Sequence, residues 1–435
     1  MESRTAIAVF NKRTKQANYN MDPARQKNLV SIAQVSLFAI FTTYSFFFAK
    51  NIDSIGDSVL LGMSLICLVT LSIVKPDFSF LTSSFRYLSV FFFLCMMSII
   101  LPIWPKTDIY WAHSAIYKCI LGLFVVLIFK AQNSINKIQE IWIVFIALCL
   151  LMILQNTGFN IKEILNLSFL ECALGEWNEK HHTFWLVLFF WPILYSIKDL
   201  FNSKKLITIL FFFLALFSSY SESAKLAILV SSIVFIFSKL EPTKTWKITY
   251  SFILVYILLF PLVFQIISFT EMEFLYNRIY DRFAFFETAS NVIVDNPFLG
   301  SGFGSSKSME ISPYIPSNVE ISRIGVESLD GKINFAGGHP HNFVALIWIE
   351  FGLIGALMLT FFIYRFNNFI HNIIKQSDAA PYIFSIITTA LVLFSCSWSI
   401  WQTDVVLTYL MFLACLSFLI TAGSCNKNNL FHAIE

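Results

Sequence analysis

The chain has 435 residues, of which 57% are hydrophobic and 13% charged, with a formal net charge of +3. A water-soluble protein carries about 25% charged residues, so this composition excludes a soluble globular domain and requires a lipid solvent. So small a charge leaves no electrostatic footprint for nucleic acid, and the eight cysteines show neither metal-ligand spacing nor a disulfide framework.

Residues 1–28 are polar and basic, which fits a cytoplasmic N-terminal segment better than a cleaved leader. Twelve apolar runs follow, at roughly 29–49, 56–75, 84–103, 110–130, 138–155, 181–200, 204–219, 224–239, 247–269, 341–365, 380–398 and 403–421. With the N-terminus inside, the cytoplasmic loops receive Lys75, Arg86, Lys130, Lys137, Lys198, Lys204, Lys205, Lys239, Lys244, Lys247, Arg365 and Lys375. The short outside loops hold only Lys50, Lys106, Lys162, Lys180 and Lys225. This alternation follows the positive-inside rule at every loop. The expected fold is therefore an all-α integral membrane protein of about twelve transmembrane helices. Spans one to nine occupy 29–269, a large outside loop 270–340, spans ten to twelve 341–421, and a cytoplasmic tail 422–435.

The long loop departs from the pattern. Phe283, Phe286, Ala289 and Ile293 have helical spacing, so an amphipathic helix on the membrane surface is expected from Arg282 to Val294. Asn296-Pro297 ends it, and Gly300, Gly302 and Gly304 mark a turn region of backbone-permissive residues. The loop closes on Gly337-Gly338-His339-Pro340-His341-Asn342 and runs directly into an apolar helix.

The groups able to carry chemistry gather on the outside face. His341 has two readings: a residue that caps or hydrogen-bonds locally, or an imidazole able to take a proton from a sugar hydroxyl. Asn342 can cap the helix that follows. Lys225, at the boundary between spans seven and eight, either snorkels, with Glu222 as its partner, or faces a polar cavity. Arg278 and Arg282, one turn apart, suit phosphate oxygens, lipid headgroups, or salt bridges to Asp281 and Glu287. Lys118, His113, His181 and His182 are weaker candidates. There is no His-Glu-x-x-His, no Walker-type glycine loop and no Cys/His cluster, so a site without metal or other cofactor is expected.

The order and spacing of three stretches identify a family. They are Arg282-x3-Phe286-x2-Ala289, then Asp295-Asn296-Pro297-Phe298-Leu299-Gly300-Ser301-Gly302-Phe303-Gly304, then Pro340-His341-Asn342-x3-Leu346-x3-Glu350-x-Gly352-x2-Gly355. Together they resemble the signature region of the O-antigen ligase and O-antigen polymerase superfamily, with the likeness concentrated over about 205–365. The resemblance implies a multispanning enzyme of the bacterial inner membrane whose loop 270–340 is periplasmic. It implies transfer of a glycan from undecaprenyl pyrophosphate to an acceptor hydroxyl: a sugar of lipid A-core in the ligase branch, a growing lipid-linked glycan in the polymerase branch. The family histidine falls on His341, expected to activate or position the acceptor, and the loop arginine on Arg282, expected to hold the donor pyrophosphate with Arg278 nearby. The boundary arginine falls on Lys225, which keeps the charge and loses the bidentate fork. Asn342, Gly300 and Gly302 are supporting residues. A flippase for lipid-linked glycans is the alternative from another class. It would line the whole membrane depth with charge, whereas the candidates here lie at one face.

The loop charges make the topology testable. Reporter fusions at Asn202 and Asn368 are expected to read cytoplasmic and a fusion at Ser317 periplasmic; a periplasmic signal at Asn202 overturns the span assignment.

Overall fold

The computed structural model describes residues 145–147, 149–150, 152–153, 176–199, 202–266, 277–316, 326–329, 332–335, 340–374, 377–396, 412, 415–416 and 419–420. Spans one to four, and most of spans five and twelve, lie outside these residues, so the full count of twelve is not addressed by them.

The described helices are α1 (Glu176–Ser196), α2 (Asn202–Ser218), α3 (Glu222–Leu240), α4 (Pro242–Ile266), α5 (Asn277–Asp295), the short α6 (Ser305–Ser308), α7 (Phe343–Ile374) and α8 (Ala380–Cys396). They fall on the apolar runs, except α5 and α6, which lie in the long loop. Glu222–Leu240, Pro242–Ile266 and Phe343–Asn368 are long and apolar enough to cross a membrane. A hairpin of β1 (Val326–Leu329) and β2 (Lys332–Phe335), in antiparallel register with Val326 opposite Phe335, belongs to the long loop.

α3 and α8 pack through small residues. Ala224, Ala227, Ser231 and Ser238 on α3 recur at helical spacing and are buried, as are Ala380, Ser385 and Thr389 on α8. The Ser385 hydroxyl donates to the Ser231 carbonyl at 3.2 Å. Without a hydrophobic drive between apolar helices in lipid, close approach of small side chains and such bonds hold the pair together. Large residues exposed on the far sides of α2, α3 and α4, among them Leu206, Phe217, Leu229, Phe252 and Leu262, fit a lipid-facing surface.

Two helices carry breaks that neighbouring segments repair. Pro261 inside α4 has no N–H to offer the Ile257 carbonyl one turn earlier. The Trp348 indole of α7 donates to that carbonyl at 2.8 Å, and the Ser290 hydroxyl of α5 donates to the carbonyl of Pro261 at 2.6 Å. The second break is at Gly352 in α7, where φ is 59° and ψ is −150°, a conformation open in practice to glycine alone. It frees carbonyls before it and N–H groups after it. The turn at 297–302 takes them up: Ser301 N–H donates to Ile349 O at 2.7 Å and Gly302 N–H to Glu350 O at 3.0 Å. Leu353 N–H donates to Pro297 O at 2.8 Å and Ile354 N–H to Phe298 O at 3.3 Å.

The amphipathic helix of the loop exists, one turn longer at its start than expected. Its setting differs from a helix lying on lipid: Ala284, Phe285, Phe286, Ala289, Val292 and Ile293 are buried in one cluster with Ile257, Phe260 and Phe264 of α4 and Val344, Trp348 and Ile349 of α7. Its apolar face is satisfied by protein. The spacing alone gave the face and could not distinguish these two partners.

The repaired break generates a prediction. A Cβ on Gly352 would sit 2.6 Å from Gly300 N and Phe298 C, and one on Gly300 would sit 2.5 Å from Glu350 C. Gly352→Ala and Gly300→Ala are each expected to cost about 2 kcal/mol or more through strain and backbone overlap. Trp348→Phe, which orphans the Ile257 carbonyl, should cost about 1–3 kcal/mol. Thermal unfolding of the detergent-solubilised protein checks all three, and an unchanged Tm for Gly352→Ala contradicts the docked turn.

Candidate functional site at the mouth of α7

α7 begins where Asn342 caps it. The Asn342 side-chain oxygen accepts from the N–H groups of Val344 at 2.8 Å and Ala345 at 3.1 Å. Its amide nitrogen donates to the Tyr256 hydroxyl of α4 at 2.6 Å and to the Ser395 carbonyl of α8 at 3.1 Å. One buried side chain therefore ties three helices at a single point. The first nine residues of α7, Phe343 to Phe351, are all buried, so this helix starts inside the protein rather than at a surface.

His341 precedes the cap, half-buried, with φ at 52°. Among the described residues it is the one non-glycine residue with positive φ. For an L-residue that conformation costs about 1–2 kcal/mol, and strain of this kind collects at functional sites. The imidazole meets the Phe285 ring of α5 edge to face, with centroids 5.2 Å apart. Phe285 lies one turn beyond Arg282 on the same helix. The half-buried Arg282 lies close enough to Cys396, at the end of α8, for its charge to act on that thiol. Ser395, bonded to Asn342, is the adjacent residue. His341 and Asn342 adjoin at the start of α7, Phe285 of α5 meets the imidazole, and Arg282 stands one turn before Phe285 on that helix.

Lys225 stands in the first turn of α3, behind a cap in which Ser221 Oγ accepts from Ala224 N–H at 3.4 Å. Its ammonium pairs with Glu222 at 3.2 Å, with side-chain exposures of 27% and 60%. An exposed pair of this kind is worth little. Because α3 and α8 run antiparallel, with Ser231 beside Ser385 and Lys239 over the Tyr382 ring, the Lys225 turn lies at the same end of the bundle as Ser395. Lys225 shares the level of the site, and the contact of its ammonium is with Glu222. The side chains of Arg278, Asp281, His181 and His182 lie outside the described residues, as do His113 and Lys118.

Gly300, Gly302 and Gly304 have φ of 69°, 104° and 72° and form the turn that docks on α7. Below that turn Glu350 is fully buried and accepts from the Ser306 hydroxyl at 3.1 Å. At the other end of α5, Tyr314 donates to the Asp295 carboxylate, and this bond raises the phenol above its ordinary range. Among the described residues no group of three His, Cys, Asp or Glu side chains is arranged for a metal ion.

Tyr256, Phe285, Ser306 and Ser395 were not singled out from sequence. A tyrosine or serine in an apolar run carries no periodic signal, and only the long-range pairing reveals them. Glu350 stood in the third motif stretch, although its serine partner was not visible.

A family model described as O-antigen ligase matches residues 207–360, the segment that contains α3 to α5, the docked turn and the start of α7. A protein of Rickettsia prowazekii (strain Madrid E) described as a "putative polysaccharide ligase" is 26% identical over 232 residues, 52% of this chain and 54% of that protein. A protein of Rickettsia typhi with the same description is 26% identical over 243 residues, 55% of this chain and 56% of that protein. The chain spans about half the length of the curated relatives it matches. No solved structure matches. The resemblance read from the three motif stretches is to the family that the comparison finds.

Proposed function

We propose that this chain, whose 207–360 segment belongs to the O-antigen ligase superfamily, is a glycosyltransferase of the bacterial inner membrane. It moves a glycan from undecaprenyl pyrophosphate to a sugar hydroxyl of lipid A-core at the periplasmic face. What supports this reading is that the His341 imidazole, at the buried start of α7, packs against Phe285 of the helix that carries Arg282, all inside the matched segment.

Each residue has a chemical part. A glycosyl group leaves from pyrophosphate as the acceptor oxygen attacks, so the acceptor must lose a proton and the leaving group gathers negative charge. His341 is the base: its imidazole accepts the proton of the acceptor hydroxyl, or orients that hydroxyl, from a strained turn that fixes its direction. Arg282 holds the pyrophosphate oxygens through its two-pronged guanidinium, which strengthens as the leaving group develops. Arg278, one turn earlier on α5, adds a second cation. Lys225 contributes from the first turn of α3, and its pairing with the exposed Glu222 is weak enough for a phosphate to displace. Asn342, Gly300 and Gly302 hold the frame. No resident cofactor enters this scheme, and the cations do the electrostatic work.

The motif stretches resemble the ligase and polymerase branches alike, so the assay must offer both acceptors. Deletion of the gene followed by parallel analysis of lipopolysaccharide and lipid-linked glycan separates the branches. Loss of a ligase strands full-length glycan on its lipid carrier, whereas single-repeat material on core identifies a polymerase.

His341→Ala is expected to lower transfer about 10²–10⁴-fold with the protein still inserted. His341→Gln, which hydrogen-bonds without accepting a proton, separates positioning from base catalysis by its residual rate. His339→Ala should do much less. Near-normal transfer by abundant His341→Ala protein removes the imidazole from the mechanism. For the cations, Arg282→Gln and Lys225→Ala should impair donor use more than abundance, and Lys225→Arg should preserve or raise activity because guanidinium chelates phosphate better. Full activity of Lys225→Ala assigns that residue to its Glu222 pair alone.

A further inference from the structure

The left-handed backbone at His341 needs an external cause. An L-residue does not hold φ at 52° by its own preference, so the neighbouring contacts must impose it. Pro340 on one side is buried, and Asn342 on the other has no freedom left. Its oxygen accepts two bonds from Val344 and Ala345, and its amide nitrogen gives two, to Tyr256 and Ser395. The helix cap demands the oxygen on the N–H side, which turns the amide nitrogen toward α4 and makes the Tyr256 hydroxyl the acceptor of that bond. Of the two partners of the amide nitrogen, the Ser395 carbonyl belongs to the backbone, so the phenol is the one that a substitution can remove.

We propose that Tyr256 is a positioning residue of the site: through Asn342 its hydroxyl holds the left-handed turn at His341, which sets the imidazole against Phe285. This rests on the reading of His341 as the group that acts on the acceptor hydroxyl. Tyr256 touches no substrate; it acts through the side chain next to the histidine. Its ring is half-buried and Phe fills the same space, so Tyr256→Phe removes one oxygen and little else.

The test uses full-length protein in native membranes, with its amount measured, and follows transfer of lipid-linked glycan from the source bacterium to lipid A-core. Tyr256→Phe is expected to lower kcat about tenfold, the size of one buried hydrogen bond, with the donor KM unchanged. In the His341→Ala background, where the slow residual rate is followed over long incubations, the same substitution should lower the rate no further, because the two act as one unit. Asn342→Ser retains a capping oxygen and loses the reach to Tyr256. It should show the same fall in kcat, and adding Tyr256→Phe to it should cost nothing more. An unchanged kcat for Tyr256→Phe overturns the proposal. So does an equal loss in the His341→Ala background, or a loss confined to KM or to protein abundance. Should Tyr256→Phe fail to accumulate, the Asn342→Ser rate decides: a tenfold fall upholds the tie and an unchanged rate ends it. Near-normal transfer by His341→Ala sinks the reading of the histidine itself. An inactive His341→Ala beside a fully active Tyr256→Phe sinks only the positioning role.

Discussion

A backbone N–H or carbonyl in an apolar helix that loses its partner within the helix has no water to turn to, and this requirement governs the architecture. α4 loses a donor at Pro261 and α7 breaks at Gly352. Each defect is closed by a group from another element: the Trp348 indole in the first case, the backbone of residues 297–302 in the second. These repairs determine where the long loop must lie. Once the glycine turn is fastened across the break in α7, α5 packs in the angle between α4 and α7, and Phe285 arrives beside His341. The two motif stretches around Gly300 and Gly352, some fifty residues apart in sequence, are two sides of one contact.

The site inherits its rigidity from the same frame. Asn342 spends every hydrogen-bonding capacity of its amide, and the residue before it sits in a conformation that it would leave if released. A histidine on an unconstrained loop would sample many directions and lose most of the advantage of proximity. Here the imidazole is bounded by Phe285 on α5 and by a saturated cap on α7. The geometry favours a single direction.

Much of the fold could be read from the sequence, because a membrane helix is announced by its length and hydropathy. Every described helix from α1 to α8, apart from the four-residue α6, falls on an apolar run or on the periodic stretch 282–294. His341 and Arg282 stood out through residue type and motif, and Asn342 through its place before an apolar run. What could not be read were the pairings: nothing in Tyr256 distinguishes it from the other aromatics of its span, and Trp348 looks like any apolar residue of α7. The direction of α5 was also hidden. An amphipathic pattern states that a face will be buried, and lipid and protein satisfy it equally well.

The loop is pinned to α7 twice, through Asn342 at the helix start and through Gly302 at Glu350, eight residues or about 12 Å further along. Everything between, from Ser306 to Pro340, is a detour that leaves one helix and returns to it. The attachment at Glu350 is made by backbone groups, and part of the detour packs inward, with Met309, Ile311 and Phe335 buried in the cluster of α4, α5 and α7. Lengthening a loop whose ends are fixed costs little conformational entropy. Such an arrangement is modular in length: the detour can grow or shrink between its buried residues, in the manner of a variable loop on a constant scaffold, while both attachments keep their places.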